Sequence, residues 1–435
     1  MSGSDRLPAL VALLVLGAAL AVTVLVTTPW QPLEEPGGRA SASTDPARDF
    51  TAAERAHEDA YHRAVQPPAY ASLAVSVAVL AVLALSPLGG RLVAMVARPL
   101  GGGWVWQVLL GALAVSLLAR LVALPFDAWA EQVRRDYGLS TRTWGSWVVD
   151  VAKGLAVGTV LVLVALLVLV ALARALPRGW WVPASVGAAL LVVGLSFAYP
   201  LVVEPVFNKF SPMAKGPLRS SLVQMAERDG ISVDEVLVAD ASRRTSTLNA
   251  YVSGFGSSRR VVVYDTLLDQ ASPDEVRLVV AHELGHAKRN DVLHGTLLGA
   301  LGAAAAVTLL FLVLSSPALL RRGDVDGAGD PRAVPLVLLT VAVLTFASSP
   351  VQSLVSRRIE ARADVHALDL TGETRVFATM QRRLALTNLS DLDPNPVVYG
   401  LFSTHPTPPQ RLALARSWAR LHGEPAPGDL VGHGR

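Results

Sequence analysis

The sequence contains no cysteine, which excludes disulfide bonds, thiolate metal ligands and a cysteine nucleophile. Charged residues are also scarce: they make up 17% of the 435 residues, whereas apolar residues make up 52%. A chain with this balance places much of its length in lipid. The formal charge of +3 is small for a nucleic-acid partner, and it fits contact with the anionic headgroups of membrane lipids better.

Seven stretches are long and apolar enough to cross a bilayer, which takes roughly twenty residues. The first is longer than the apolar core of a secretory signal, so we interpret it as a retained span. The stretches predict a mainly α-helical, seven-helix integral membrane bundle. They lie near Leu7–Thr28, Ala69–Leu88, Trp104–Leu118 (extended by Leu121–Pro125), Leu155–Leu172, Val182–Val203, Val292–Leu320 and Ala333–Val355.

The chain between the fifth and sixth spans is charged and rich in turns. Three short runs there are typical of β-strands, at Val236–Ala239, Asn249–Ser253 and Val261–Tyr264. A helix is predicted to begin at Ser272, where Ser-Pro-Asp-Glu forms a capping box with proline at the first helical position. We therefore predict a zinc-metalloprotease domain with a small sheet at residues 204–291. The other predicted units are helices one to five (1–203), helices six and seven (292–355), a third-ligand segment (356–415) and a loose tail (416–435).

The motif His282-Glu283-Leu284-Gly285-His286 carries the chemistry. Residues four apart lie on one face of a helix, so His282 and His286 aim two imidazoles at one point. Glu283 lies beside the first histidine, where a carboxylate is able to act as a base without being a ligand. Two nitrogen ligands, an open water position and a carboxylate base are what a zinc hydrolase needs.

The third ligand is predicted from the path of the chain. The sixth and seventh spans form a hairpin, so the chain that leaves the membrane face near His286 returns to that face near Val355. Glu360 and Asp364 follow at once, again four residues apart on a helix. We expect Glu360 to complete the ligand set and Asp364 to accept a hydrogen bond from a ligating histidine. The alternative is a solvated helix face on which these acids pair with neighbouring arginines.

Other candidates have weaker signals. His405 follows the last span and so lies on the side of the metal motif, where it is able to donate to an oxyanion; a His-Pro pair is otherwise an ordinary turn. The run Asn249-Ala250-Tyr251 offers a strand edge to an extended peptide, or is only a strand. The segment Glu34–Arg63 is expected to be a charged loop. We interpret His366 as a packing or hydrogen-bonding residue, and His57, His62 and His422 as solvated loop residues.

These motifs resemble those of the type I CAAX prenyl endopeptidases, a family of membrane zinc proteases. They also resemble, less fully, those of the HtpX-like bacterial quality-control proteases. The resemblance runs from about Leu124 to Ala415. It rests on the segments Glu204–Pro212, Asn249–Gly254, Tyr264–Leu268, His282–His286, Glu360–Asp364 and Phe402–Pro406, with Arg411.

The resemblance implies that one zinc ion per chain is bound by His282, His286 and Glu360. It implies seven transmembrane helices around a large water-filled chamber, which a cytoplasmic zinc domain closes at one end. It also implies roles for the other site residues: Glu283 as general base, Asp364 as support for the ligands, His405 and Arg411 as stabilisers of the transition state and the site, and Asn249, Ala250 and Tyr251 as the strand that holds the substrate backbone.

The sequence thus predicts a membrane-embedded zinc endopeptidase. Its expected substrates are peptides or membrane-associated proteins, including lipidated ones, and its other partners are membrane lipids. Two alternatives stay open: an HtpX-like quality-control protease, and a non-catalytic membrane chamber that binds lipidated partners. Heavy use of Ala, Leu, Val, Arg and Gly is typical of bacterial proteins, so we expect a multi-pass protein of a bacterial cell membrane.

Overall fold

The computed structural model describes residues 3–33, 42–254 and 259–431. Most of this part of the chain is helical, and one small sheet is the exception. The helices are α1 (Gly3–Thr27), α2 (Ala52–Ala84), α3 (Pro87–Ala97), α4 (Trp104–Asp136), α5 (Trp144–Ala175), α6 (Trp181–Ala198), α7 (Glu204–Phe207), α8 (Pro217–Arg228), α9 (Asp265–Gln270), α10 (Pro273–Lys288), α11 (Asp291–Val313), α12 (Pro317–Gly323), α13 (Val334–Thr371), α14 (Thr374–Thr387), α15 (Pro396–Phe402) and α16 (Pro408–His422). The strands are β1 (Phe210–Pro212), β2 (Glu235–Ala239), β3 (Ala250–Ser253) and β4 (Arg260–Tyr264).

Among the described residues, seven helices are long and apolar enough to cross a membrane. They are α1, α2, α4, α5, α6 with its continuation to Phe207, α11 and α13. Large apolar side chains on these helices are exposed, such as Leu14 at 73% and Val26 at 78% of their surface. Exposed apolar surface of this extent is what lipid contact requires. The helices and the sheet confirm the predicted fold class.

Helix α2 begins far earlier than the span predicted at Ala69. Its first residue is Ala52, and a capping box between Thr51 and Glu54 fixes that start: Glu54 N donates to Thr51 Oγ1 (3.2 Å) and Thr51 N donates to Glu54 Oε2 (2.8 Å). The prediction of a loop through Arg63 is therefore wrong from Ala52 onward. The charged first half of the helix was mistaken for a loop because only its second half has the composition of a span.

The four strands form one sheet in the order β1-β2-β4-β3. β2 and β4 are parallel, whereas β1 pairs with β2 and β3 pairs with β4 in the antiparallel sense. The runs predicted at β2, β3 and β4 are all strands. β1 was not predicted, because three residues that include Pro212 show no alternation. One face of the sheet packs on α10, where Val261 and Val263 join Leu278 and Leu284 in the core.

The hairpin predicted between the two last spans is present, and it positions the site. α10 ends at Lys288 and α11 leaves from Asp291, while α13 runs unbroken for 38 residues and ends before Gly372, whose φ is +68°. The last four turns of α13 therefore extend beyond the apolar stretch predicted to end at Val355 and lie beside α10. This arrangement sets Glu360 and Asp364 opposite the histidines of α10.

The C-terminal segment differs from the predicted loose tail. α16 continues to His422, and Arg416 is 4% exposed because its guanidinium donates to Asp49 Oδ2 (Nη1, 2.9 Å) and to the Pro427 carbonyl (Nε, 3.1 Å). Thr374 Oγ1 also donates to the Pro425 carbonyl (2.8 Å). The contact between Arg416 and Asp49 joins segments 367 residues apart, so the local composition that suggested a loose tail did not reveal it.

Charged side chains near the ends of the spans are paired. Arg120 and Asp127 form an ion pair on α4, and Ser72 Oγ donates to Asp127 Oδ1 (2.7 Å). Glu131 is fully buried and accepts a hydrogen bond from Arg142 Nη2 (2.6 Å). Pairing of this kind is expected where a charge has no access to bulk water.

Candidate active site

The two histidines of α10 and one glutamate of α13 converge on a single point. His282 Nε2 lies 3.2 Å from His286 Nε2 and 3.1 Å from Glu360 Oε2, and His286 Nε2 lies 3.6 Å from Glu360 Oε1. The helix spacing of four brings the histidines together, and the membrane hairpin brings the glutamate. Two of the predicted ligands thus lie on the helix before the span α11, and the third lies on the extension of α13 after its apolar stretch.

Each imidazole is held at its other nitrogen by a carboxylate. His282 Nδ1 donates to Asp364 Oδ1 (2.9 Å), and His286 Nδ1 donates to Asp291 Oδ2 (2.9 Å). An ionised carboxylate has no proton to donate, so in each pair the imidazole Nδ1 carries the proton. Both Nε2 atoms therefore present a lone pair to the common point. Asp364 was predicted for this position, whereas Asp291 was not, although it lies only five residues after His286.

Two arginines hold these carboxylates in turn. Arg411 Nε donates to Asp364 Oδ2 (2.8 Å), and Arg362 forms an ion pair with Asp291. Asp364 is completely buried, so its charge requires such a partner. Arg411 therefore contacts a supporting carboxylate, and it also lines the cavity in front of the metal ligands.

The donor atoms fit a divalent metal ion. Ligand bonds of 2.0–2.1 Å in a tetrahedral site place donor atoms about 3.3 Å apart, close to the 3.1, 3.2 and 3.6 Å found here. Burial alone would lower the pKa of His282, but hydrogen bonds to Asp364 and Glu360 outweigh burial and raise this pKa to about 10. The centre thus favours a positive charge. Two imidazoles and one carboxylate are a ligand set that binds zinc in catalytic sites.

A cavity of about 570 Å³ opens in front of the metal ligands. Glu283 and His405 line it together with His282 and Glu360. Burial raises the pKa of the Glu283 carboxyl. His405 Nε2 lies 3.3 Å from Glu360 Oε2. Both residues predicted to act beside the metal are therefore present at the cavity surface.

The predicted substrate strand lies at the edge of the sheet. β3 pairs with β4 on one side only, and Asn249 lies exposed at its start, where it lines the cavity. Ala250 is buried in the core, and Tyr251 donates through its hydroxyl to Glu204 Oε2 (3.3 Å). The structure thus brings Asn249 to the cavity, while the side chains of Ala250 and Tyr251 face elsewhere.

A second group of donor atoms lies beside the cavity, and one of its members, Asp391, lines the cavity wall. One atom each from Glu58, His62 and Asp391 lies within 4.8 Å of the others. His62 is therefore not a solvated loop residue: it is a partly buried helical residue whose Nε2 donates to the Leu389 carbonyl (2.8 Å). His366, by contrast, has the hydrogen-bonding role expected of it, since its Nε2 lies 2.9 Å from Asp229 Oδ2.

The described residues thus combine seven helices of membrane-spanning length with a cluster of two histidines and a glutamate. This combination defines the class of membrane metalloendopeptidases. The chain belongs to peptidase family M48, whose sequence pattern matches residues 212–419. Residues 46–209 match the pattern described as CAAX prenyl protease N-terminal, five membrane helices. The chain is therefore a multi-span membrane metalloendopeptidase, and the match of its membrane half does not favour the HtpX-like alternative.

Individual relatives agree with this assignment. A Bacillus subtilis protein named uncharacterized metalloprotease YhfN is 31% identical over 304 residues, which are 69% of this chain and 71% of that protein. The CAAX prenyl protease 1 of Saccharomyces cerevisiae is 26% identical over 315 residues, or 68% and 69% of the two chains. The crystal structure of S. mikatae Ste24p superimposes with a TM-score of 0.76 at 22% identity and covers 94% of this chain and 98% of that one. The last comparison confirms the fold.

Proposed function

We propose that this protein is a zinc endopeptidase that cleaves peptides anchored in the membrane by a lipid, on the cytoplasmic side of a bacterial membrane. The observation that carries the proposal is the convergence of His282, His286 and Glu360 beside a cavity, in a chain with seven helices long and apolar enough to cross a membrane among its described residues. Relatives named CAAX prenyl proteases favour a prenylated peptide among the lipid-anchored substrates. The lipid of such a substrate would lie in the same bilayer as the apolar helices of the enzyme.

His282, His286 and Glu360 would hold a zinc ion, which would supply a Lewis acid for the peptide carbonyl and for water. Glu283 then acts as the general base, because its carboxylate lines the cavity next to His282 and is not one of the ligands. It takes a proton from the attacking water and delivers that proton to the leaving amine nitrogen. Partial desolvation suits this task, since a raised pKa brings the carboxyl closer to the pH at which it must both accept and release a proton.

Asp364 and Asp291 are positioning residues for the two imidazoles. Their hydrogen bonds to the Nδ1 atoms fix the tautomers and the ring orientations, and Arg411 and Arg362 pair with the two carboxylates in turn. His405 is proposed to donate from its imidazole to the oxyanion that develops on the substrate carbonyl. Its exposed side chain, near Glu360 but not hydrogen-bonded to a supporting carboxylate of its own, suits a group that engages substrate.

The edge strand is proposed to hold the substrate backbone. An extended peptide that adds to a sheet edge gains main-chain hydrogen bonds and presents alternate side chains to one wall. Asn249 marks the place where β3 meets the cavity. The Asn388 side chain supports this place, because its Oδ1 accepts from Leu248 N (2.8 Å) and its Nδ2 donates to the Leu248 carbonyl (3.1 Å).

The test is Glu283→Gln in the full-length protein reconstituted in lipid. We expect hydrolysis of a farnesylated peptide to fall at least about 100-fold while bound zinc is unchanged, because the substitution removes the base and leaves the ligands. Glu424→Gln, at an exposed position outside the site, is the matched control. Wild-type activity in Glu283→Gln would contradict the mechanism, and failure of the wild type to cleave any lipid-anchored peptide would favour the non-catalytic chamber.

A further inference from the structure

Outside the metal centre, the cavity wall carries a single charged side chain among the described residues that line it. That side chain is Asp391, in the loop that joins α14 to α15. The cavity wall also has apolar side chains, such as Leu384, and neutral polar ones, such as Gln381 and Asn388. A carboxylate that lines the cavity without belonging to the metal centre is available to a positively charged group of a substrate.

The protein compensates the negative charge of Asp391 only in part, through the nearby His62 and a backbone hydrogen bond from Asp393. Its Oδ2 lies 3.5 Å from Gln66 Nε2 and 3.8 Å from His62 Nδ1, both long for hydrogen bonds to a carboxylate. The other charged groups facing this region are mostly acidic: Glu58 is buried beside His62, and Asp59 and Asp393 lie close enough to raise the pKa of Asp391, to which burial contributes most. A cation brought by the substrate would therefore find an excess of negative charge.

We propose that Asp391 forms a subsite for a basic side chain, lysine or arginine, of the peptide substrate. A side chain of this type suits the wall on two counts, because its aliphatic stem covers apolar surface while its charged head reaches a carboxylate. The inference deepens the proposed function and rests on it, since it concerns the peptide that occupies the catalytic cavity.

A metal ion is the competing occupant of this acidic corner, and the hydrogen bonds argue against it. His62 Nε2 donates to the Leu389 carbonyl (2.8 Å) and lies 3.1 Å from Glu58 Oε1. Burial alone would lower the pKa of His62, but the hydrogen bond to Glu58 and the charge of Asp391 outweigh burial and raise this pKa. A ring that keeps a proton on both nitrogens offers no lone pair to a metal, and Asp391 keeps a side that faces the cavity.

The experiment measures binding rather than cleavage, in full-length Glu283→Gln protein loaded with zinc and held in lipid nanodiscs. Fluorescent farnesylated peptides carry one lysine at each successive position of an otherwise neutral sequence, and norleucine replaces it in the matched peptide. We expect one position at which lysine binds about tenfold more tightly than norleucine, an effect typical of a charge-assisted contact. Asp391→Asn should abolish the difference, and Asp391→Lys should turn it into a preference for glutamate.

Asp393→Asn is the matched control, because it removes a neighbouring charge from outside the cavity lining and should keep most of the lysine preference. The proposal is overturned if no position shows a preference for lysine, or if the preference survives Asp391→Asn. Zinc added beyond one equivalent should not alter the preference; its loss would assign the corner to a metal ion. Charge-dependent binding without cleavage by the wild type would overturn the proposed function alone, so the two failures are distinguishable.

Discussion

Two clusters in this molecule pair a histidine with carboxylates from separate elements, yet they differ in what holds them. At the first cluster, His282, His286 and Glu360, each Nδ1 is bonded to a carboxylate that an arginine supports. At the second, Glu58, His62 and Asp391, the Nε2 atom is bonded to a backbone carbonyl. Proximity of donor atoms is common to both. The difference teaches that a second imidazole, and an arginine-supported carboxylate behind each ring, distinguish the candidate metal centre from the acidic corner.

The largest expected effect removes a ligand from the first cluster. Glu360→Gln should lower zinc affinity by more than about 100-fold, because loss of a direct ligand exceeds the 10–100-fold cost of losing an outer contact. The measurement is zinc per chain by mass spectrometry after dialysis against a graded chelator. Glu424→Gln, exposed near the C-terminal end of α16, serves as the control. Unchanged zinc in Glu360→Gln would move the third ligand to another residue.

The next effect breaks the support of that cluster without touching a ligand. Asp364→Asn should weaken zinc binding about 10- to 100-fold, because the amide no longer fixes the tautomer of His282 and Arg411 loses its buried partner. The same chelator titration measures it. Asp324→Asn, on the exposed turn after α12, controls for the loss of an acid elsewhere. If zinc affinity stayed at the wild-type level, hydrogen bonding to Nδ1 would not be what separates the two clusters.

A third prediction concerns the charge of the second cluster. The pKa of Asp391 is raised above the usual value of about 3.9, so its carboxylate is ionised above the raised pKa and neutral below it. The preference for lysine over norleucine should therefore be present at neutral pH and decline as the pH falls through that pKa. The ratio of the two dissociation constants, measured from pH 4 to pH 8 in the Glu283→Gln protein, cancels effects common to both peptides. A ratio that stayed constant over this range would exclude a titrating carboxylate.

The smallest effect is expected from His62→Gln. Zinc per chain should stay at the wild-type value of about one, because the second cluster is predicted to hold no metal ion. His286→Gln in the first cluster is the contrasting variant and should lose zinc. A fall in bound metal on His62→Gln would show that the two clusters are more alike than their hydrogen bonds indicate.

The sequence was sufficient for the parts of the site that follow from helical spacing. His282, Glu283 and His286 are local, and the path of a membrane hairpin then led to Glu360 and Asp364. Asp291 was missed although it is close in sequence, because its contact with His286 depends on the bend between α10 and α11.

The errors have a common physical cause, which is contact between distant segments. His62 looked like a loop residue because its helix is charged there, and its partner Leu389 lies 327 residues away. The ion pair of Asp49 with Arg416, which joins the segment before α2 to α16, was hidden for the same reason. The capping box at Thr51 was the one local signal that would have corrected the start of α2.

Helix α13 has a consequence for how the protein is divided into parts. A rod of 38 residues is about 57 Å long, and it carries a membrane span at one end and Glu360 and Asp364 at the other. Inserting or deleting one residue in α13 between the span and Glu360 would rotate the two carboxylates about 100° around the helix axis, away from His282. The catalytic unit is therefore not a module that a lipid-embedded scaffold merely carries. Glu360, the proposed third ligand, is positioned by the rotational setting of a transmembrane helix, so residues 204–291 alone would contain His282 and His286 but lack Glu360.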